Sequence, residues 1–263
     1  MAKIIAVSNQ KGGVGKTTSA INIAASVAAL NYRVLLIDLD PQGNATMGCG
    51  IDKREVPASI CEVLLGEKKL SEIRIKADPG NFDVVPANQD LTAAEVALLS
   101  KGTGRESILK RACAWISDDY DVVLIDCPPS LNIVTLNALV AADSVLIPMQ
   151  CEYYAMEGLS ALLATINDVR QTVNPNLEIE GILRTMHDPR NNLSNEVSSQ
   201  LIEHFGDKVF KTIIPRNVRL AEAPSFGKPA LFHDKESRGA MAYLALASEL
   251  KRSWGNQTNG RSA

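Results

Sequence analysis

The sequence has 263 residues, of which 46% are hydrophobic and 22% are charged, and its formal net charge is −3 at pH 7. These values are typical of an ordinary globular protein with a sizeable core, and the overall charge does not indicate a nucleic-acid binder. No apolar run is long enough to span a bilayer or to form the core of a signal peptide, so we expect a cytoplasmic protein.

Short runs rich in β-branched residues alternate with helical patterns along the chain. The predicted strands cover residues 3–8, 33–38, 82–86, 121–126, 144–148, 180–186 and 209–214. The predicted helices cover residues 16–30, 91–100, 104–116, 131–141, 156–172, 193–205 and 238–253. This order predicts a doubly wound α/β fold, in which helices on both faces flank a mainly parallel sheet and ligands bind beyond the carboxyl ends of the strands.

The domain organisation is predicted to be simple. Residues 1–255 are expected to form a single domain, in which the irregular, charged stretch 51–77 is an excursion between two core strands. Residues 256–263 are polar and rich in small side chains, so we expect a disordered tail there.

A glycine-rich loop joins the first predicted strand to the first predicted helix, in the stretch SNQKGGVGKTTSA. Its glycines allow backbone N–H groups to surround a phosphate, and the start of the following helix adds positive potential. Lys16 is expected to reach the β- and γ-phosphates and Thr17 to ligate Mg²⁺. The residues predicted to bind the nucleotide here are Gly12, Gly13, Val14, Gly15, Lys16, Thr17 and Thr18. The sequence departs from the strict Walker A pattern at one position only, where Gln10 stands in place of the first glycine.

Acidic side chains close two of the predicted strands. Asp38 and Asp40 end the stretch VLLIDLD, and Asp126 ends DVVLID. Because the carboxyl ends of parallel strands meet at one edge of a sheet, we expect these carboxylates beside the glycine-rich loop. Asp126 fits a carboxylate that holds Mg²⁺ through water. A helix cap or a turn is the alternative for any one of them, and for Asp38 a supporting role and direct contact both stay open.

Five motifs occur in an order that resembles the ParA/MinD superfamily of P-loop ATPases, and in particular its Soj-like, chromosomal branch. They are KGGVGKTT (11–18), LLIDLDPQGNAT (35–46), VLIDCPPSL (123–131), IPMQCEYYAMEGL (147–159) and IIPRNVRLAEAPSFGKP (213–229). The resemblance implies an ATPase that uses ATP and Mg²⁺. Lys11 matches the lysine that crosses a dimer interface onto the partner's nucleotide, although a solvated loop lysine is the alternative. Asp40 lies in the motif that positions the attacking water.

The resemblance also implies a base pocket, partners and a rate. Three residues match positions that line the pocket of the adenine base: Met186, Pro215 and Asn217. For Asn217 the alternative is a residue that only forms a turn. Arg190 and Arg219 match positions that bind duplex DNA without sequence preference. The implied partners are a second copy of the chain in an ATP-dependent sandwich homodimer, non-specific double-stranded DNA and a ParB-type centromere-binding protein. Intrinsic hydrolysis is expected to be slow, and the ATP-bound protein is expected on the nucleoid.

Two other functions within the superfamily stay open. A MinD-like positioning ATPase would need a C-terminal helix that inserts into a membrane. The end of the chain offers only a weak signal of this kind, Leu250 and Trp254 with two adjacent basic residues, so no membrane partner is expected. An ATPase of cofactor or metallocluster assembly would need bridging cysteines. The five cysteines include no C-x-x-C pair and the three histidines are scattered, so neither a zinc site nor an iron–sulfur site is expected.

Overall fold

The computed structural model describes residues 2–260, with side chains described as far as residue 255. Within that part the chain forms a seven-stranded sheet in the order β3-β4-β2-β5-β1-β6-β7. The strands are β1 (Lys3–Val7), β2 (Val34–Asp38), β3 (Ile75–Ala77), β4 (Phe82–Val85), β5 (Val122–Asp126), β6 (Ser144–Gln150) and β7 (Glu178–Thr185). Neighbouring strands are parallel except for the edge pair β3 and β4. The predicted doubly wound, mainly parallel fold is confirmed.

Helices cover both faces of the sheet, and the sheet divides the core into two layers. They are α1 (Lys16–Ala28), α2 (Asn44–Gly48), α3 (Ile60–Leu65), α4 (Leu70–Ile73), α5 (Leu91–Ser100), α6 (Ile108–Ala114), α7 (Ile133–Ala141), α8 (Ala155–Thr172), α9 (Asn192–Phe205), α10 (Val218–Glu222), α11 (Ala230–His233) and α12 (Arg238–Gly260). One layer contains apolar residues of α3 to α9, and the other contains those of α1, α2 and α10 to α12. Among the described residues, none of the helices combines the length and the hydropathy that a transmembrane span requires.

The central strands carry the loops that form the site. Every residue of β2 and β5 is buried, as expected of strands with helices on both faces. β1 lies between β5 and β6, so the chain reverses its direction of winding beside the end of β1. The register pairs Val7 and Asp38 with Asp126, which brings the carboxyl ends of β1, β2 and β5 together at this switch point.

Residues 209–214 do not form the predicted strand. Only isolated bridges occur there, between Ile182 and Val209 and between His187 and Pro215. Two backbone N–H groups donate to β7, and side chains satisfy the groups between them. The Glu249 carboxylate accepts the N–H groups of residues 211 and 212, and the Arg184 guanidinium donates to the carbonyls of residues 210 and 211. The backbone is therefore satisfied without a ladder, which the apolar pattern of the segment cannot reveal.

Two other boundaries differ from those predicted. The excursion over residues 51–77 contains α3, α4 and the short antiparallel strand β3, which no periodic pattern indicates. At the other end of the chain, α12 extends to Gly260, whereas the predicted helix ends at residue 253. The remainder of the predicted tail, residues 261–263, lies outside the described residues.

Candidate active site

A cavity of about 460 Å³ opens at the carboxyl edge of the central strands. It is lined by Gly12, Gly13, Gly15, Lys16, Thr17, Thr18, Asp40, Asn44, Pro129, Thr185, Met186, Ile214, Pro215, Arg216, Asn217, Leu220, Ala221 and Tyr243. The cavity thus brings the glycine-rich loop, Asp40 and the three residues predicted at the base into one space. Lys11, Val14 and Asp126 are not among its lining residues.

The loop that precedes α1 is shaped for an anion. Gly13 and Gly15 adopt left-handed backbone angles, with φ of 74° and 85°, which side chains rarely adopt. A Cβ atom at Gly12 or Gly13 would meet no protein atom within 4 Å, so space for a ligand lies next to the backbone. No side chain caps the start of α1 and no acidic residue lies in its first turn. The free N–H groups and the helix dipole are therefore available to phosphate oxygens.

Polar contacts fix the conformation of this loop. The Thr185 hydroxyl at the end of β7 donates to the Val14 carbonyl at 2.8 Å. The Asn9 side chain donates to the Pro148 carbonyl at 2.8 Å and accepts the Lys11 N–H at 3.0 Å. Gln10, at the position of the missing glycine, donates to the Thr165 hydroxyl of α8 at 3.3 Å. Gln10 therefore anchors the loop rather than lining the cavity.

Lys16 is a buried cation at the floor of the loop. Its side chain is 7% exposed, and its ammonium donates to the Lys11 carbonyl at 3.1 Å. It makes no ion pair with any described residue, and burial lowers its pKa, although the charges of Asp126, Cys127 and Asp40 oppose this change. A triphosphate would supply the counter-charge that this ammonium lacks.

Asp126 is a buried carboxylate whose oxygens lack hydrogen bonds of normal geometry. It is fully buried, and neither of its oxygens has such a partner among the described residues. Burial raises the pKa of Asp126 well above its ordinary value, and the nearby Asp38 raises it further, while the neighbouring Thr17 hydroxyl opposes the rise. Such a group is stabilised by a cation, which fits the predicted role in holding Mg²⁺.

Asp38 is equally buried but fully engaged. One oxygen accepts the Asp40 N–H at 3.0 Å, and the other accepts the Thr46 N–H at 2.8 Å and the Thr46 hydroxyl at 2.7 Å. Of the two roles left open by the sequence, these contacts favour support, because Asp38 anchors both ends of the loop that carries Asp40. Asp40 itself lines the cavity and accepts the Gln42 N–H at 2.9 Å.

The other end of the cavity is formed by two loops joined by backbone hydrogen bonds. The His187 N–H donates to the Ile214 carbonyl and the Arg216 N–H donates to the His187 carbonyl, each at 3.1 Å. Met186, beside this junction, adopts a left-handed φ of 48°. Asn217 accepts the Leu220 N–H at 3.3 Å and so caps α10, while it also lines the cavity. Both interpretations of Asn217 from the sequence, a turn residue and a pocket residue, agree with this position.

The comparisons with known proteins point to one family. A family described as "AAA domain" matches residues 2–179. The sporulation initiation inhibitor protein Soj of Bacillus subtilis is 51% identical, over 95% of this chain and 98% of its own length. An uncharacterized protein of Pseudomonas putida is 62% identical, over 96% and 95%. The chain belongs to the ParA/Soj family of P-loop ATPases.

A solved structure extends this finding to the ligands of the ATPase. Cobyrinic acid a,c-diamide synthase from Mycobacterium smegmatis, with bound ATP analog and magnesium, has a TM-score of 0.85 and 41% identity, and covers 97% of this chain and 96% of that chain. ATP and Mg²⁺ are accordingly the substrate and cofactor of this ParA/Soj-type ATPase. Its described residues contain no group of three or more His, Cys, Asp or Glu placed to hold a metal. The Mg²⁺ ion would therefore rely on Thr17, on phosphate oxygens and, through water, on Asp126, which suits its preference for oxygen ligands.

Lys11 of this ATPase faces away from its own cavity. Its ammonium forms an ion pair of 2.6 Å with Glu152, and the two side chains are 35% and 47% exposed. The ammonium groups of the two motif lysines thus have different partners, since that of Lys11 pairs with Glu152 and that of Lys16 donates to the Lys11 carbonyl.

Both arginines predicted to contact DNA are exposed and ion-paired. Arg190 forms a two-pronged contact with Asp188, at 2.9 and 2.7 Å. Arg219 contacts Glu222 at 2.9 Å and Asp234 at 3.3 Å. The bridge between His187 and Pro215 joins the two segments that carry these arginines.

Sequence reasoning missed several residues of the site. Thr185 and Tyr243 line the cavity, and the buried Tyr243 hydroxyl lies 3.0 Å from the Ser19 hydroxyl of α1. Tyr243 lies on α12, far from the loop along the chain, so only the tertiary fold brings it here. Thr185 directly precedes the predicted Met186, and its position at the end of a strand was the available signal.

Proposed function

We propose that this protein is a partitioning ATPase in which ATP brings two copies together as a sandwich dimer. The dimer binds duplex DNA without sequence preference, and hydrolysis, stimulated by a ParB-type partner, releases it. Relatives named as chromosome-partitioning proteins, including ParA of Myxococcus xanthus at 51% identity, support this class of function. The observation that carries the proposal is the position of Lys11, a motif lysine outside the cavity of its own chain.

The environment of Lys11 suits a residue that changes partners. Its ion pair with Glu152 is partly exposed, and exposed pairs contribute only about 0–1 kcal/mol to stability. The ammonium can therefore leave Glu152 at low cost. In a dimer it would meet the triphosphate bound to the other copy, where the absence of water makes its charge more effective.

The residues of the cavity suit hydrolysis of the γ-phosphate. The oxygen of water bonds to the γ-phosphorus, and the bond from that phosphorus to the bridging oxygen of ADP breaks. One proton of the water stays on the phosphate, and the other passes to solvent. Asp40 lines the cavity and would orient the water, while Lys16 and the free N–H groups at the start of α1 stabilise negative charge. Mg²⁺, when bound, neutralises part of the phosphate charge. Intrinsic turnover is slow until the partner completes the site.

A direct path links the nucleotide to the DNA-binding arginines in this proposal. Arg216 and Asn217 line the cavity, and Arg219 follows two residues later on α10. The segment is bonded to His187, and Arg190 lies three residues beyond it. A nucleotide that orders this segment would fix both arginines, and a dimer would present each of them twice. This avidity explains how DNA binding depends on ATP in a protein of net charge −3. We place the ATP-bound form on the nucleoid for the same reason.

The mass of the protein in solution tests the dimer. Sedimentation with ATP and with ADP should give a dimer with ATP alone, most clearly in an Asp40→Ala variant that hydrolyses slowly. Lys11→Ala should bind ATP and remain a monomer. A Lys11→Ala protein that dimerises as tightly as the parent would refute the role given to this lysine.

The membrane alternative receives no support from α12. Leu250 is fully buried, and the Trp254 indole donates to Glu180 at 2.6 Å, so both residues named for membrane insertion pack against the domain. Liposome binding by this protein would revive that alternative.

The similarity to a diamide synthase favours one second candidate, an enzyme of amide formation. Release of ammonia from glutamine commonly requires an activated thiol. All five cysteines are buried, and burial raises the pKa of each of them, so none has the environment of a nucleophile. Glutamine-dependent amidation of a corrinoid acid by the purified protein would nevertheless establish this candidate, and its failure beside normal ATP hydrolysis would dismiss it.

A further inference from the structure

A second cavity, of about 300 Å³, lies on the opposite face of the sheet from α1 and α12. It is bounded by α3, α4, α6 and the loops beside them, and it shares no lining residue with the nucleotide cavity. Its apolar lining includes Leu64 and Leu70, which are almost completely buried, and Ile116. The partitioning function proposed above uses none of these residues.

The rim of this cavity is basic, although the Glu72 carboxylate lies beside it and accepts the Lys69 N–H at 2.7 Å. Lys68, Lys69, Lys101 and Arg111 line it, and no Asp or Glu does. None of these four side chains forms an ion pair with a described residue. Lys101 donates to the Leu64 and Leu65 carbonyls, and Arg111 donates to that of Gly104. In a chain of net negative charge, four unpaired cations around one opening form a local field that attracts carboxylates.

An exposed tryptophan completes the surface. Trp115 follows α6, lines the cavity and is 84% exposed. Tryptophan is ordinarily well buried in a folded chain, and it is the residue most enriched among the energetic centres of protein interfaces. The indole therefore stands beside the opening with most of its apolar surface in water.

We propose that this cavity docks an acidic segment of a protein partner, with one apolar side chain inserted beside Trp115. Carboxylates of the segment pair with the four rim cations. The apolar lining decides between this occupant and a polyanion such as DNA, because phosphates gain nothing from Leu64, Leu70 or Ile116. Docking of such a segment requires neither ATP nor the proposed dimer, so it can be tested with the nucleotide-free chain.

Selection from a random peptide display library against the purified protein tests the proposal without a known partner. Enriched peptides should carry several acidic residues around a leucine, phenylalanine or tryptophan. Synthetic copies should bind Trp115→Ala and Arg111→Glu at least about tenfold more weakly than the parent protein. Lys76→Glu, which makes the same charge change at an exposed site outside the cavity, should bind within about twofold of the parent.

Trp115 and Arg111 are exposed and do not line the nucleotide cavity, so both variants should keep the parent's ATP hydrolysis. Enriched peptides without an acidic bias, or acidic peptides that bind all four proteins equally, would overturn the proposal. So would binding of phosphatidylglycerol vesicles or duplex DNA that depends on Trp115 while no peptide depends on it.

Discussion

Asp38 and Asp126 stand opposite each other in the register of β2 and β5, and both are fully buried. The carboxylate of Asp38 accepts three hydrogen bonds, whereas that of Asp126 accepts none of normal geometry from the described residues. Two acids on neighbouring strands thus have opposite roles. Asp38 holds the chain, and Asp126 needs a cation.

Asp126→Asn should therefore stabilise the nucleotide-free protein and abolish its activity. The change removes a buried charge and its repulsion from Asp38, so the free energy of unfolding at neutral pH should rise by about 1 to 3 kcal/mol. Mg²⁺-dependent ATP hydrolysis should be lost. Asp38→Asn is the matched control, and it should lower stability because it disrupts the contacts with Asp40 and Thr46. Urea unfolding of the two variants and the parent measures both effects.

The same pair predicts the pH dependence of stability without nucleotide. The pKa of each acid is raised in the folded state, with burial as the main cause. Folding therefore favours the protonated forms. This contribution is complete below the unfolded pKa of about 3.9 and is lost as pH rises through the folded pKa values. Asp126→Asn should flatten the decline of stability with rising pH, and a parent-like decline in this variant would show that Asp126 is not its source.

Thr185→Val should weaken ATP binding while the fold is kept. The substitution preserves shape and removes the hydrogen bond to the Val14 carbonyl, a bond worth about 0.5 to 1.5 kcal/mol, so the Kd for ATP should rise about two- to tenfold. Thr172→Val removes a hydroxyl bond within α8, outside the cavity, and should leave the Kd unchanged. Isothermal titration measures both, and equal affinities would remove Thr185 from the site.

The two motif lysines should separate in their effects. Lys16→Ala removes the buried ammonium of the loop and should abolish ATP binding, since the phosphates lose their main counter-charge. Lys11→Ala removes a side chain outside the cavity, so ATP binding to the monomer should stay within about threefold of the parent while dimerisation is lost. Equilibrium binding of labelled ATP, paired with sedimentation, distinguishes them. Loss of ATP binding in both variants would contradict the separation.

Asp188→Asn should increase DNA affinity in the proposed function. The Arg190 guanidinium holds the pKa of Asp188 well below its ordinary value. This ion pair engages the same guanidinium that would contact a DNA phosphate. Freeing an arginine from an exposed pair should tighten binding by about two- to fivefold. Asp52→Asn is a close control, because Asp52 pairs with Arg54 in the same two-residue geometry on another loop. Equal gains from both variants would reflect net charge alone.

The sequence predicted the sheet and the phosphate loop because their signals are local. Apolar runs such as those of β2 and β5 reflect burial on both faces, and the glycines before Lys16 reflect left-handed backbone angles. The opposite roles of Asp38 and Asp126 cannot be read from the local sequence. They depend on Thr46, which lies eight residues beyond Asp38 and donates hydrogen bonds to Asp38.

The rest of the site depends on partners that are distant in the chain. Tyr243 reaches the cavity from α12, and residues 209–214 look like a strand but are held by Arg184 and Glu249. No periodicity encodes such contacts. The second cavity is also hidden, because its four basic residues lie on different elements and become neighbours only in the fold.

Binding to a random-sequence DNA duplex, with ATP and with ADP over a salt series, tests the central claim most directly. We predict tight, salt-sensitive binding with ATP alone. The slope of log K against log salt should become shallower by about one for each phosphate that Arg219→Glu no longer neutralises. DNA binding that is equal with ATP and ADP, or absent from a protein that still dimerises with ATP, would contradict the account.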